Sequence, residues 1–314
     1  MLVSVIIPTY NSSDFITETL ISVENQKYPH LEIICIDDGS EDDTVKIIEE
    51  TTGKWKNFKL LRIDHAGAPA ARNEGTRIAK GEYIQYLDSD DTLLPDKIEH
   101  QVNLIKDRED RPAFVAAPFL LNKYGREIIR GDFYADDVWI ALVRSQLGTT
   151  SSNLWQKKII EEIGLWRDIP RLQDYYLMWD ILRAGGQVLI DTERKCIKLI
   201  RKKSIFTTTP ILNRIHGLEL RTEILRTLRK DRRLDTVLEK ELLNRCFVYV
   251  RNIYKVDRAL AINHYTQIFD RDFVPPKVFP GYPFFYRILG FKKLEFILFQ
   301  VRRLIGSKPY HEAG

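Results

Sequence analysis

Glu82-Tyr83-Ile84-Gln85-Tyr86-Leu87-Asp88-Ser89-Asp90-Asp91 is the stretch that decides the fold. Its first six residues are rich in aromatic and branched side chains and read as a buried strand. The last four place three carboxylates at the end of that strand. Neighbouring carboxylates repel one another, and a cation relieves the repulsion. Mg2+ or Mn2+, which prefer oxygen ligands, suit the task and commonly hold phosphates as well. The same residues also suit an ordinary turn, with Asp91, followed by Thr92 and Pro95, opening the next helix. The chain upstream separates the two readings.

Strands are expected at residues 2–7, 31–36, 58–63 and 82–87. Helices are expected between them at 13–26, 43–50 and 68–79. In the first helix Phe15, Ile16, Leu20 and Val23 recur at helical spacing; the third is closed by Gly81. A βαβαβαβ order predicts a parallel sheet with helices on both faces. Ligands of such sheets sit at the carboxyl ends of the strands. The polar clusters Thr9-Tyr10-Asn11, Asp37-Asp38-Gly39-Ser40 and 88–91 all fall on that edge. Isolated acidic turns have no reason to converge there.

Further along, helices are expected at 95–106, 157–163 and 172–184, the last ended by Gly185-Gly186, and strands at 114–121 and 187–190. The character changes near residue 204. Helices rich in Arg, Lys and Leu are expected at 211–228, 234–254 and 256–269. A hinge with Pro275-Pro276, Pro280-Gly281 and Pro283 follows, then an aromatic, basic segment at 284–305. This divides the chain into residues 1–203, with halves 1–91 and 92–203, and a helical region 204–314.

A length of 314 residues with 44% hydrophobic side chains suits a protein with a sizeable core. A net charge of +4 is too small an excess to argue for nucleic acid, and zinc-finger, RNA-binding and P-loop patterns are absent. Cys35, Cys196 and Cys246 are odd in number and far apart, which predicts neither a disulfide framework nor a metal cluster. There is no signal-peptide pattern and no long uncharged apolar run, so the expected location is the cytoplasm or the inner face of its membrane.

Four ordered segments carry a resemblance. They are Val3-Ser4-Val5-Ile6-Ile7-Pro8-Thr9-Tyr10-Asn11, Ile36-Asp37-Asp38-Gly39-Ser40, Gly67-Ala68-Pro69-Ala70-Ala71-Arg72-Asn73-Glu74-Gly75 and Tyr86-Leu87-Asp88-Ser89-Asp90-Asp91. Together they closely resemble the family 2 glycosyltransferases, over roughly residues 1–200. The resemblance implies an α/β fold of GT-A type, a Rossmann-like mixed sheet flanked by helices, here with a helical C-terminal extension. It implies an inverting transfer of a sugar from a nucleotide-diphosphate donor, UDP-linked by expectation, to a saccharide or lipid-linked saccharide acceptor. The setting it implies is bacterial surface polysaccharide or glycoconjugate synthesis. A nucleotidyltransferase of similar sheet, or a GT-A module without turnover, is the alternative. The former normally shows a Gly-rich basic loop after its first strand, which Thr9-Tyr10-Asn11-Ser12 is not.

The family's roles carry over onto matching positions. Pro8, Thr9 and Tyr10 would line the nucleotide base. Asp37 and Asp38 would accept a hydrogen bond from it, and Gly39-Ser40 equally permits a plain turn. Arg72 would brace Asp38 or a phosphate, on a helix whose Ala68, Ala70 and Ala71 allow close packing. Asp88, with Ser89 beside it, would meet the ribose and the shell of a Mg2+ or Mn2+ ion. Asp90 would ligate that ion, and Asp91 would support the shell or cap the next helix. His65 stands where many relatives carry Asn and is expected to be a loop residue only.

An acceptor hydroxyl must lose a proton as it attacks, and a carboxylate is the usual agent. The family places it in an acidic pair at a helix start, matched by Gln173-Asp174 with Arg183 further on. Asp174 is therefore the expected base, or else a helix cap. Many relatives carry a His near the residues matching 199–204, where none stands here; Arg201, Lys202 or Lys203 would supply a fixed cation, or form a solvated basic loop. From Arg271 to Lys308 eight basic residues face two acidic ones. Phe291, Leu294, Leu298, Val301 and Ile305 form a helical stripe, and Phe284, Phe285, Phe296 and Phe299 add aromatic bulk. Such a segment either lies on an anionic membrane, giving peripheral contact through residues 284–305, or packs on the protein.

Overall fold

The structure, a computed structural model, describes residues 1–123, 127–130, 137–200 and 210–304. It divides into two compact units, Met1–Thr208 and Thr209–Gly314. The boundary expected at 203/204, and the candidate cations Arg201, Lys202 and Lys203, lie outside the described residues.

The first unit begins with β1 (Val3–Thr9), α1 (Ile16–Glu24), β2 (Leu31–Asp37), α2 (Thr44–Thr52), β3 (Phe58–Arg62), α3 (Ala68–Ile78) and β4 (Tyr83–Tyr86). Then come β5 (Thr92–Leu93), α4 (Lys97–Ile105), β6 (Phe114–Ala116), β7 (Leu120–Lys123), β8 (Glu127–Arg130) and α5 (Val138–Arg144). It ends with β9 (Leu154–Gln156), α6 (Lys157–Glu162), α7 (Gln173–Arg183), β10 (Val188–Ile190) and β11 (Cys196–Ile200). The main sheet has the order β10-β6-β9-β4-β1-β2-β3, and a smaller one the order β5-β11-β7-β8.

Strand β1 is buried along its whole length, which fits its run of Val and Ile. Its parallel register pairs Thr9 with Asp37 on one side and Ile6 with Tyr86 on the other. That register brings the ends of β1, β2 and β4 to one edge. Helix α3 crosses this sheet closely at Gly75, where a Cβ would lie 2.4 Å from Ile6 Cγ2. This close approach carries Arg72, one turn earlier, down toward the edge.

Two features depart from expectation. The strand expected at 114–121 splits: β6 joins the main sheet and β7 the smaller one. Pro118 lies in the break, where it removes a ladder donor. Strand β9, not expected as an element, runs antiparallel between β4 and β6 and gives the mixed sheet that the resemblance implied. At three residues it is too short to show a period.

The second unit contains α8 (Pro210–Lys230), α9 (Thr236–Tyr254), α10 (Arg258–Ile268) and α11 (Tyr282–Leu304), the last broken at Gly290, whose φ is 69°. Asp235 and Asp257 cap α9 and α10 with their side chains. Leu242, Cys246, Phe247, Val250, Tyr282, Phe291 and Leu294 are buried together in this unit. Phe291 and Leu294 therefore belong to a packed face. The exposed apolar side chains of α11 are Phe284, Phe285, Ile288, Phe296, Ile297 and Val301. Ile305 lies outside the described residues.

Candidate functional site

The loops after β1 and β2 are stitched together. Asn11, at φ 45°, donates its N–H to Ser40 Oγ at 3.0 Å and accepts from the Glu41 N–H at 2.9 Å. Asn is among the few residues that tolerate this backbone region. Pro8 and Thr9 are buried at the end of β1. Asp37 is fully buried; its Oδ2 accepts from the Ser40 N–H at 3.1 Å and lies 3.4 Å from Arg62 Nε. Asp38 turns toward the next loop, accepting from the N–H groups of Ala66 at 2.7 Å and Gly67 at 2.9 Å. Gly39, at φ 75°, makes the turn that the Asp-Gly pair allows. The Oδ1 of Asp38, which accepts only the Ala66 N–H, keeps a further lone pair for a ligand donor.

Tyr10 is 44% exposed and offers a ring face. Its ring stacks on His65, with centroids 4.1 Å apart. The His65 Nδ1 also lies 2.9 Å from Asp38 Oδ2. His65 thus joins the residues around the expected base site, a placement that its loop sequence did not signal.

Arg72 is 5% exposed, so it is no solvated surface arginine. Its Nη2 donates to Asp88 Oδ1 at 2.7 Å and its Nη1 to Gln173 Oε1 at 2.8 Å. The guanidinium lies 4.7 Å from the centre of the Trp166 ring. Asn73 fixes Trp166 through a reciprocal pair of hydrogen bonds to its backbone at 2.9 and 3.0 Å. The bracing of Asp38 expected of Arg72 is supplied instead by Ala66 and Gly67. Arg72 ties the end of β4 to the start of α7.

Asp174 stands in the first turn of α7, where the helix dipole favours an anion. The capping position belongs to Leu172, at φ 55°, without a side-chain cap. Asp174 instead accepts the Tyr175 N–H at 3.0 Å and feels Lys198, Asp88 and Arg72. Burial pushes its carboxyl above the usual range, Asp88 adds to this, and Lys198 and Arg72 oppose it. Arg183 is exposed at the opposite end of the helix.

The three acidic residues after β4 separate in role. Asp91 is fully buried and accepts from Ser151 Oγ at 2.7 Å and from the Leu199 N–H at 3.1 Å. It does not open the next helix, whose N-cap position is Asp96, without a side-chain cap. Burial raises its carboxyl, as do Asp88 and Asp90, while Lys198 pulls it back. Burial also opposes the charge on Asp88, yet Arg72 and Lys198 together hold it below the usual range. Asp90 is half-buried, and Ser89 Oγ lies 2.8 Å from Ser12 Oγ.

Lys198, on β11, places its Nζ 3.5 Å from Asp88 Oδ2 and 3.4 Å from Asp91 Oδ2. Burial works against its charge, but Asp91, Asp88, Asp90 and Asp174 hold its proton more tightly than usual. This sets the fit of Mg2+ or Mn2+ at Asp90 and Asp88. Asp88 is engaged by two cations and Asp91 by three donors. Among the described residues no three His, Cys, Asp or Glu side chains are placed to hold a metal ion. The oxygens of Asp88 and Asp91 are thus engaged within the protein. Lys198, Ser151 and Trp166 escaped the sequence reading. The one available signal for Lys198 was a lone cation in the apolar run Cys196-Ile197-Lys198-Leu199-Ile200.

A buried polar chain supports the site from below. Lys97 Nζ donates to Gln85 Oε1, and Gln85 Nε2 donates to the carbonyl oxygen of Ser151 at 2.8 Å. Burial pushes Lys97 down to about 7 from an ordinary 10.5. The unfolded chain keeps this proton where the folded one has released it. Stability should therefore rise with pH between about 7 and 10.5, by at most about 1.4 kcal/mol per pH unit. Urea midpoints of the protein and of Lys97→Met at pH 7, 8 and 9 test this: the rise should flatten in the variant.

Residues 4–129 match the family described as Glycosyl transferase family 2. An uncharacterized glycosyltransferase of Haemophilus influenzae is 42% identical over 105 residues, which are 33% of this chain and 42% of that protein. A poly(ribitol-phosphate) beta-glucosyltransferase of Bacillus spizizenii is 40% identical over 113 residues, 35% of this chain and 18% of that protein. The matched region spans less than half the length of these curated relatives. Among solved structures, Staphylococcus aureus TarS 1-349 in complex with UDP-GlcNAc has a TM-score of 0.68 at 19% identity, covering 85% of this chain and 80% of that one. The mannosyltransferase PcManGT from Pyrobaculum calidifontis, in complex with GDP-Man and Mn2+, has a TM-score of 0.58 at 16% identity, covering 98% and 88%. The match to the family 2 glycosyltransferases thus lies in residues 4–129, and the fold is of GT-A type, as the four sequence segments implied.

Proposed function

We propose that the chain is an inverting glycosyltransferase. It moves a sugar from a UDP-linked donor to the hydroxyl of a saccharide or lipid-linked saccharide, in bacterial surface polysaccharide or glycoconjugate assembly. The observation that carries this reading is the convergence of Asp174, Asp88, Arg72 and Lys198 on the sheet edge that also presents Tyr10 and Asp38. The relatives support the setting: one is named a beta-glucosyltransferase of poly(ribitol-phosphate), and a neighbour holds UDP-GlcNAc.

The chemistry follows from these residues. Tyr10 and Asp38 take the base, Pro8, Thr9 and Asp37 shape its seat, and Asp88 with Ser89 faces the ribose. The bond from the anomeric carbon to the diphosphate breaks and its electron pair leaves with the nucleotide. Asp174 takes the proton of the acceptor hydroxyl as the new C–O bond forms on the opposite face. Arg72 fixes the distance between the donor side and the base by holding Asp88 and Gln173 at once.

A panel of nucleotide sugars scored by thermal stabilisation tests the reading. At least one UDP-sugar should raise the melting temperature; stabilisation by nucleoside triphosphates alone, with pyrophosphate released, would favour the nucleotidyltransferase.

The same reading places the protein in the cytoplasm, at the inner face of the membrane. No helix among the described residues is long and apolar enough to cross a membrane. Phe284 is 62% exposed and Ile288 64%, with Arg287, Lys292 and Lys293 exposed on the same helix. Aromatic side chains beside cations suit an anionic interface. Phe284→Asp with Ile288→Asp should reduce flotation with phosphatidylglycerol vesicles at least tenfold without lowering the melting temperature.

A further inference from the structure

We propose that Lys198 is the built-in cation of the donor site, carrying the diphosphate-neutralising role that a divalent ion would otherwise take. The inference rests on the glycosyltransferase reading and names a residue that the family resemblance did not assign.

Three observations carry it. First, Lys198 Nζ lies between two carboxylates, 3.5 Å from Asp88 and 3.4 Å from Asp91, which is where a cation must stand to relieve the repulsion after β4. Second, the carboxylates on either side of Lys198 are engaged elsewhere. Asp88 holds Arg72, and Asp91 holds Ser151 and the Leu199 N–H. Third, Lys198 is held by strand pairing and yet open to a ligand. Its strand pairs with β7 through Lys198 and Leu121, and its side chain is 32% exposed. A lysine placed by a sheet is a fixed donor of three hydrogen bonds to an incoming diphosphate.

Asp88, Asp90, Asp91 and Asp174 meet Lys198 and Arg72 at this edge. An incoming diphosphate adds negative charge beside them. Lys198 lies beside Asp88 and stays partly exposed, so the same ammonium can turn from the carboxylates to the phosphate oxygens on binding. The proton stays on Lys198 throughout; the residue donates hydrogen bonds and takes part in no proton transfer.

The test uses UDP and GDP as probes, with binding measured by calorimetry in EDTA and in Mn2+. The wild-type protein should bind one of them with affinities within about threefold in the two conditions. Lys198→Met should lose at least tenfold in EDTA, with Mn2+ restoring part of the loss. Lys198→Arg should keep binding in EDTA, and it serves also if the methionine variant fails to fold. A tenfold loss of wild-type affinity on adding EDTA, or a folded Lys198→Met that binds like wild type in EDTA, would overturn the inference. Failure of both nucleotides to bind in either condition would instead sink the glycosyltransferase reading, and this inference with it.

Discussion

Replacing Asp174 with Asn should lower sugar transfer by a factor of about 10^2 to 10^4 while leaving UDP affinity within about threefold. The amide keeps the shape of the carboxyl and cannot take a proton. Asp174 accepts the Tyr175 N–H within its own helix, a bond an amide oxygen also accepts, so the fold should tolerate the change. Its raised carboxyl gives the same assignment a pH signature. A base must be deprotonated to act, so kcat/KM should fall on the acid side at a pH above the ordinary carboxylate value of 3.8. Unchanged transfer by the Asn variant, or an acid limb that it still shows, would remove Asp174 from the reaction.

Replacing Arg72 with Met should lower kcat about a hundredfold and cost about 2 kcal/mol of stability. The side chain is buried, holds Asp88 and Gln173 at once and lies over Trp166. Met fills the space over the ring but releases both partners. Asp88 then keeps Lys198 as its cation, which is why the stability loss is modest. The catalytic loss is larger because the start of α7, and with it Asp174, is no longer tied to the donor side. Arg72→Lys should recover stability but little of kcat, because one ammonium does not reproduce the planar fork. An effect confined to KM in both variants would show that Arg72 only binds donor.

The parts of the fold that were legible share one property: each is written in a local period. The apolar run of β1, the spacing of Ile16, Leu20 and Val23 in α1, and the small residues of α3 each specify an element and its buried face. Parallel pairing then follows from their order, and so does the edge where Thr9, Asp38 and Asp88 meet. Strand β9 was not legible, because three residues carry no period and their place between β4 and β6 depends on chain far away.

The site divides in the same way. Residues at the ends of periodic elements could be named from the sequence. Their partners could not, because partnership is set across the fold: Lys198 is 107 residues from Asp91, and Gln173 is 101 from Arg72. In the sequence Gln173 only matched the first member of an acidic pair, and in the fold it is the anchor of Arg72. In the tail the period was visible and its partner was not. Phe291 and Leu294 turned out to be the packed face, which left Phe284 and Ile288 as the exposed one.

The central claim is that this sheet edge transfers a sugar with inversion, using Asp174 as base. Time-resolved proton NMR of donor hydrolysis tests it without knowledge of the acceptor, since water takes the place of the hydroxyl. An α-linked UDP-sugar that stabilises the protein should release UDP and give the β-sugar first, with the signal lost in Asp174→Asn. First appearance of the α-sugar, or the same hydrolysis rate in Asp174→Asn, would contradict the account.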